Sequence, residues 1–216
     1  MKKIKVVITG AAGRMGQMLV KQILADKNLS LFGATEQPNH KKIGYDIGDI
    51  IKSKKTGIII TDDFIPLFAK TDAVIDFSLP KATVLHSKYT AQARIIHVIG
   101  TTGFSTSELK KINYAAQHAT IIKSGNMSIG VNILEKVVAD VSKSLSKEFK
   151  IQINEEHHKY KIDAPSGTAL MLGQSIAKSK NKKLDKIKQN AKINTQGKIK
   201  KDKIVFSSFR KGKVVG

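Results

Sequence analysis

The segment Glu155-Glu156-His157-His158-Lys159-Tyr160-Lys161-Ile162-Asp163-Ala164-Pro165-Ser166-Gly167-Thr168-Ala169 gathers acids, imidazoles and an ammonium just before a helix start. Histidine exchanges protons near neutral pH and lysine supplies a compact positive charge, so such a pair suits proton donation beside an anionic substrate. Ser166-Gly167-Thr168 offers hydroxyls and free amides at a helix N-terminus, a fit for a carboxylate. Adjacent histidines also suggest metal ligation, but consecutive strand residues face opposite ways, and no metal is expected. A purely structural role for one of the two histidines stays open.

A second chemical signal lies near the start. Val6-Val7-Ile8-Thr9-Gly10-Ala11-Ala12-Gly13-Arg14-Met15-Gly16 reads as a buried strand entering a glycine turn and then a helix. Glycine lets the backbone approach a pyrophosphate closely, and the helix N-terminus favours that anion. The spacing is G-x-x-G-x-x-G rather than G-x-G-x-x-G. Glu36 follows Gly16 by twenty residues, at the end of the second strand, where an acid accepts hydrogen bonds from ribose hydroxyls. Gln37 stands where an Arg would grip a 2′-phosphate, so NADH is favoured over NADPH, although Lys41 and Lys42 keep NADPH open. Two further loops, Gly100-Thr101-Thr102-Gly103 and Ser124-Gly125-Asn126-Met127, follow strands and suit a nicotinamide pocket; each is equally readable as a simple turn.

The elements that must carry these residues alternate as βα units. Strands are expected at Ile4–Thr9, Leu29–Thr35, Gly57–Thr61, Ala73–Phe77, Ile95–Ile99 and Thr120–Lys123, with helices at Arg14–Ala25, Lys81–Gln92 and Ser105–Gln117. This predicts an α/β, doubly wound parallel sheet of Rossmann type over residues 1–123. From residue 124 to 216 the pattern changes to a smaller α+β domain. It holds a helix at Val131–Ser146, a strand at Lys150–Asn154, a helix from about Ser166 to Lys178 and a strand at Ile204–Phe209. Lys211-Gly212-Lys213 reads as a turn into a returning strand begun by Val214-Val215, so the chain looks interrupted at Gly216.

Composition narrows the class. The net charge of +21 rests almost wholly on lysine, since Arg14, Arg94 and Arg210 are the arginines, and no aromatic-interleaved basic motif accompanies it. Nucleic-acid binding is therefore not expected; the lysine-rich stretch Lys178–Lys203 reads as a mobile surface or an attractor for an anionic substrate. No apolar run is long enough for a membrane-spanning helix. The absence of Cys suits the cytoplasm.

Taken together, these residues resemble the 4-hydroxy-tetrahydrodipicolinate reductase family, formerly called dihydrodipicolinate reductase, from Ile4 to Gly216. The segment opened by Glu155 matches E-x-H-H-x-x-K-x-D-A-P-S-G-T-A, and the glycine turn, Glu36, Asp76-Phe77-Ser78, Gly100–Gly103 and Asn126 fall in the same order. The resemblance implies a dinucleotide domain, a substrate domain whose sheets associate into a homotetramer, and NAD(P)H-dependent reduction of a cyclic dicarboxylate to tetrahydrodipicolinate in the lysine and diaminopimelate pathway. It implies that His157 and Lys161 donate protons, and that His158, Lys161, Gly167 and Thr168 hold substrate. It further implies that Gly10, Ala11, Ala12, Gly13, Arg14, Met15, Glu36, Gly100, Thr101, Thr102, Ser124, Gly125, Asn126 and Met127 hold the cofactor. Ser124-Gly125 and Met127 depart from the family's Ala- and Phe-containing version of that loop. Family members continue past the position of Gly216, so the resemblance implies a C-terminally truncated second domain. The competing expectations are an inactive remnant that at most binds dinucleotide, and a basic nucleic-acid-binding protein.

Overall fold

The computed structural model describes residues 2–214 and 216, which fall into two compact units, 1–125 and 126–216. The division comes two residues after the expected boundary at Lys123.

In the first unit six strands form one parallel sheet. They are β1 (Ile4–Thr9), β2 (Leu29–Thr35), β3 (Ile60–Thr61), β4 (Ala73–Asp76), β5 (Ile96–Ile99) and β6 (Ile121–Lys123), in the order β3-β2-β1-β4-β5-β6. The order reverses direction between β1 and β4, the switch point at which open α/β sheets take ligands. The helices are α1 (Arg14–Ala25), α2 (Ile47–Ile50), α3 (Ile65–Phe68), α4 (Pro80–Ala93) and α5 (Thr106–Ala115). Val6, Ile8, Val20, Ile23, Ala34 and Ile60 pack one buried cluster, and Val7, Phe68 and Val74 form another. Each apolar run is covered because a parallel sheet buries both of its faces.

The second unit comprises α6 (Ile129–Ser144), β7 (Ile151–His157), α7 (Gly167–Ser179), α8 (Leu184–Ile187), β8 (Lys188–Asn190) and β9 (Ile204–Arg210). Its strands form a parallel sheet in the order β7-β9-β8. Phe206, Ile204, Ala169, Ile176 and Leu184 make its core.

The second unit departs from expectation in three places. The strand expected to stop at Asn154 runs on to His157, because the β9 ladder pairs residue for residue through His157 and Arg210. The polar and weakly patterned stretch Lys180–Lys203, given no element from the sequence, carries α8 and β8, the latter held by β9. No returning strand follows β9 among the described residues. Gly212 and Lys213 do turn, but Val214 pairs with no strand, and Val215 lies outside the described residues.

Candidate functional site

The glycine turn is built by backbone constraint. Gly10 has φ of 65°, which an L side chain rarely adopts, and Gly13 is the N-cap of α1. A Cβ on Gly16 would lie 2.1 Å from the Gly10 carbonyl oxygen and 2.7 Å from Ala11 Cα, so α1 crosses directly over the turn. Ala11 is sealed beneath, whereas Arg14 and Met15 open the helix on its exposed side. Glu36, just past β2, accepts from the Ala12 amide at 2.9 Å and from the Gln37 amide at 3.3 Å. These residues frame a cavity of about 440 Å³ whose lining includes Gly10, Ala12, Gly13, Glu36, Phe77 and His86. Thr9 also lines it, and its buried hydroxyl has no partner among the described residues.

The far wall of that cavity rests on a buried polar cluster. Asp76, fully buried at the end of β4, meets His86 Nδ1 at 2.8 Å and His97 Nε2 at 3.3 Å, and accepts from the Ser78 hydroxyl at 2.5 Å. Burial opposes ionisation of Asp76, but hydrogen bonds from His86 and His97, the field of His86 and the Ser78 hydroxyl outweigh it. The carboxyl is held far below the usual carboxylate range. Thr83 donates to Thr101 at 2.9 Å, and Thr101 donates to the Ser78 carbonyl at 3.4 Å, which ties in the Gly100–Thr102 loop. A Cβ on Gly100 would lie 2.1 Å from the Phe77 ring, which packs closely against this loop and would have to shift. Thr102 is exposed.

Sequence reasoning matched Asp76-Phe77-Ser78 without giving it a role, and missed Thr83, His86 and His97. The signal was available. Thr83, His86, Ser87 and Thr90 are the buried residues of α4, and they recur at i, i+3, i+4, i+7, so a polar face stands where an amphipathic helix places its apolar one.

Ser124 and Gly125 end the first unit, and Asn126 and Met127 begin the second. Ser124 donates its amide to the Ile99 carbonyl at 3.2 Å. The Asn126 side chain reaches Thr168 Oγ1 at 3.3 Å and accepts from the Ser128 amide at 2.8 Å; Met127 is exposed.

In the second unit β7 delivers His157 at its last position, and its Nδ1 meets Glu155 Oε2 on the same strand face. Burial opposes ionisation of Glu155, but the Ser208 hydroxyl, His157 and Arg210 together hold its carboxyl below the usual range. Lys161 Nζ pairs with Asp163 Oδ1 at 2.8 Å. Burial opposes ionisation of Asp163 too, and Lys161 overcomes it, so that carboxyl also lies below its ordinary value. His158 Nδ1 is buried without a partner among the described residues. Ser166 caps α7 by accepting from the Ala169 amide at 3.3 Å, leaving Gly167 and Thr168 as the first turn of the helix. Glu155 and Arg210 form part of this cluster, but composition and spacing did not mark them as partners. Among the described residues no group of three or more His, Asp or Glu side chains is placed to hold a metal ion. No helix of the described chain is long and apolar enough to cross a membrane.

The family model described as dihydrodipicolinate reductase, N-terminus, matches residues 4–127, and that described as dihydrodipicolinate reductase, C-terminus, matches residues 130–216. The 4-hydroxy-tetrahydrodipicolinate reductase of Dinoroseobacter shibae is 44% identical over 211 residues, which span 98% of this chain and 78% of that protein. The enzyme of the same name from Parvibaculum lavamentivorans is 45% identical over 214 residues, spanning 99% and 79%. Among solved structures, the dipicolinate-bound dihydrodipicolinate reductase of Paenisporosarcina sp. TG-14 superposes with a TM-score of 0.70 at 26% identity, covering 99% of this chain and 80% of that one. An oxidoreductase of Agrobacterium radiobacter, at 12% identity and a TM-score of 0.54 over 82% of this chain and 55% of that one, shares the fold. With both family models matched across nearly the whole sequence, and the signature residues seated on a strand end and a helix start, the chain belongs to the dihydrodipicolinate reductase family.

Proposed function

We propose that this chain is a 4-hydroxy-tetrahydrodipicolinate reductase, which uses NAD(P)H to reduce its cyclic dicarboxylate substrate to tetrahydrodipicolinate, a cytoplasmic step toward diaminopimelate and lysine. The observation that carries the reading is the seating of the E-x-H-H-x-x-K-x-D-A-P-S-G-T-A segment. It places His157 at a strand end, Lys161 in an ion pair and Gly167-Thr168 at a helix N-terminus, in a chain of this family.

The first unit is assigned the dinucleotide. Its glycine turn fits a pyrophosphate, because Gly10 and Gly13 carry no Cβ where the backbone borders the cavity. Glu36 keeps lone pairs for ribose hydroxyls beyond the two amides it already accepts. NADH is favoured, since a 2′-phosphate would meet the Glu36 carboxylate, Gln37 provides no cation, and the Lys42 ammonium lies over the Tyr45 ring at 5.2 Å. Gly100, Thr101, Thr102 and Ser124–Met127 are assigned to the nicotinamide end.

The second unit is assigned the substrate and assembly into a homotetramer. When bound, the reduced nicotinamide supplies a hydride. Once the 4-hydroxyl has left as water, hydride adds to a carbon conjugated with the imine and leaves an electron-rich enamine, which must then be protonated. His157 and Lys161 hold that proton, while the charge of Lys161, the His158 imidazole and the Gly167 and Thr168 amides hold the carboxylates. Coupling the purified protein to a synthase that forms the substrate, and following NADH or NADPH oxidation, tests the reading. The expected result is substrate-dependent oxidation that is lost in His157→Ala and Lys161→Ala. Oxidation independent of substrate, or unchanged in both variants, refutes it.

A further inference from the structure

The Arg210 side chain is 6% exposed, and its guanidinium donates to the Glu155 carboxylate and to three main-chain carbonyls. Nη1 lies 3.1 Å from Glu155 Oε1 and 3.3 Å from Oε2, and Nη2 lies 3.1 Å from Oε1. Nε donates to the Lys161 carbonyl at 3.2 Å, Nη2 to the Asp163 carbonyl at 2.7 Å and Nη1 to the Phe209 carbonyl at 2.7 Å. The other face of the Glu155 carboxylate meets His157 Nδ1. Beyond Arg210 the chain folds back over the same histidine. Lys211 donates to the His157 carbonyl at 2.9 Å, Gly212 accepts from the Lys159 amide at 3.2 Å, and a Cβ on Gly216 would come within 2.6 Å of His157 Nε2.

We propose that Glu155 and Arg210 are positioning residues that fix His157 and the Lys161–Asp163 backbone as one rigid unit for proton transfer; the proposal rests on the functional reading above. A carboxylate only accepts, so the proton between it and the imidazole sits on Nδ1, and Nε2 is left for exchange with substrate. One planar guanidinium grips that carboxylate and the main chain from which Lys161 projects, so both members of the assigned proton pair share one anchor. Lysine does not replace it, because an ammonium lacks the rigid fork. Fittingly, in a chain whose 38 basic residues include only three arginines, one of the three stands here.

Three variants test this. Glu155→Gln removes the charge and keeps the shape. Arg210→Lys keeps the charge and loses the fork. Glu155→Leu combined with Arg210→Met removes both charges together, which avoids leaving one buried ion alone. The readouts are kcat and KM in the coupled assay, NADH affinity by fluorescence, and the tautomer of His157 by nitrogen NMR of histidine-labelled protein, assigned with His157→Asn. The expected result is a fall in kcat of about tenfold or more in all three, as for other removals of a group that orients an imidazole, with NADH affinity changed less than about twofold. Wild-type His157 is expected as a single Nδ1–H tautomer, and the double variant as a mixture. Full turnover in the double variant, or a single unchanged tautomer in it, overturns the proposal. Where the wild type itself turns over no substrate, the functional reading fails and the tautomer measurement alone decides this one.

Discussion

Gly16→Ala isolates the contact on which the dinucleotide turn depends. The added Cβ would sit 2.1 Å from the Gly10 carbonyl oxygen, 2.7 Å from Ala11 Cα and 2.9 Å from Ala11 C, all main-chain atoms that no rotamer change can move. Bringing the shortest approach to the 3.0 Å below which real Cβ contacts essentially never occur requires α1 and the turn to separate by roughly 0.9 Å. Overpacking of this kind costs about 3 kcal/mol, the upper part of its usual range, because the strain falls on backbone rather than on a flexible side chain. For a chain of this size that lowers the melting midpoint by roughly 6 to 12 °C. The separation also moves the amides of residues 11–13 away from the diphosphate they are proposed to hold. Losing one charge-assisted hydrogen bond weakens NADH binding by about tenfold or more. Gly13→Ala is the internal comparison for stability, since its Cβ would stand at 3.2 Å and the turn has only to yield slightly. Differential scanning calorimetry and NADH fluorescence titration supply both readings. A Gly16→Ala protein that melts with the wild type and binds NADH equally well would refute the reasoning.

Two further perturbations test the rest of the frame. Asp76 titrates far below its unfolded value of about 3.9, so the ionised cluster stabilises the fold above that pH, and the contribution is lost as pH falls below it. Asp76→Asn is expected to lower the urea midpoint most above about pH 4, with the gap to the wild type closing under more acid conditions; a constant gap contradicts this. Phe206→Ala empties the centre of the second core, where the ring fills the space over Gly173, and is expected to lower that unit's melting midpoint by roughly 12 to 40 °C.

Where a segment's own residues determine its structure, the sequence revealed it. Ile4–Thr9, Arg14–Ala25 and Leu29–Thr35 take the expected bounds, because each is an apolar pattern ended by turn residues, and three glycines mark the crossing of α1 over β1. Where a partner far along the chain determines it, the sequence was silent. Lys188-Gln189-Asn190 has no strand character of its own and becomes β8 through the β9 ladder. Gly57–Thr61 shrinks to Ile60–Thr61, the two residues that pair with Ala34 and Thr35, while Ile58 and Ile59 turn to the 45–47 segment instead. The site divides in the same way. The signature could be read as a local run of residues, whereas Arg210 reaches Glu155 from far along the chain, and the far wall of the glycine-turn cavity rests on His86 and His97 converging on Asp76.

The strand order of the second sheet carries a consequence for synthesis. β9 lies between β7 and β8 yet follows both along the chain, so neither of them has a neighbour to bond until β9 has emerged from the ribosome. Pairing Ile151 with Ile204 closes a loop of more than fifty residues, the kind of non-local step that slows folding. The first unit can complete β1, β2 and β4 long before that, in step with elongation. During translation the nascent chain therefore carries the sheet of the first unit and two strands with open edges, and β9, when it emerges, also delivers Arg210. Pairing of β7 with β9 and arrival of Arg210 beside Glu155 are then one event, and a pause or slip at β9 leaves a chain whose β7 and β8 edges are open to neighbouring chains.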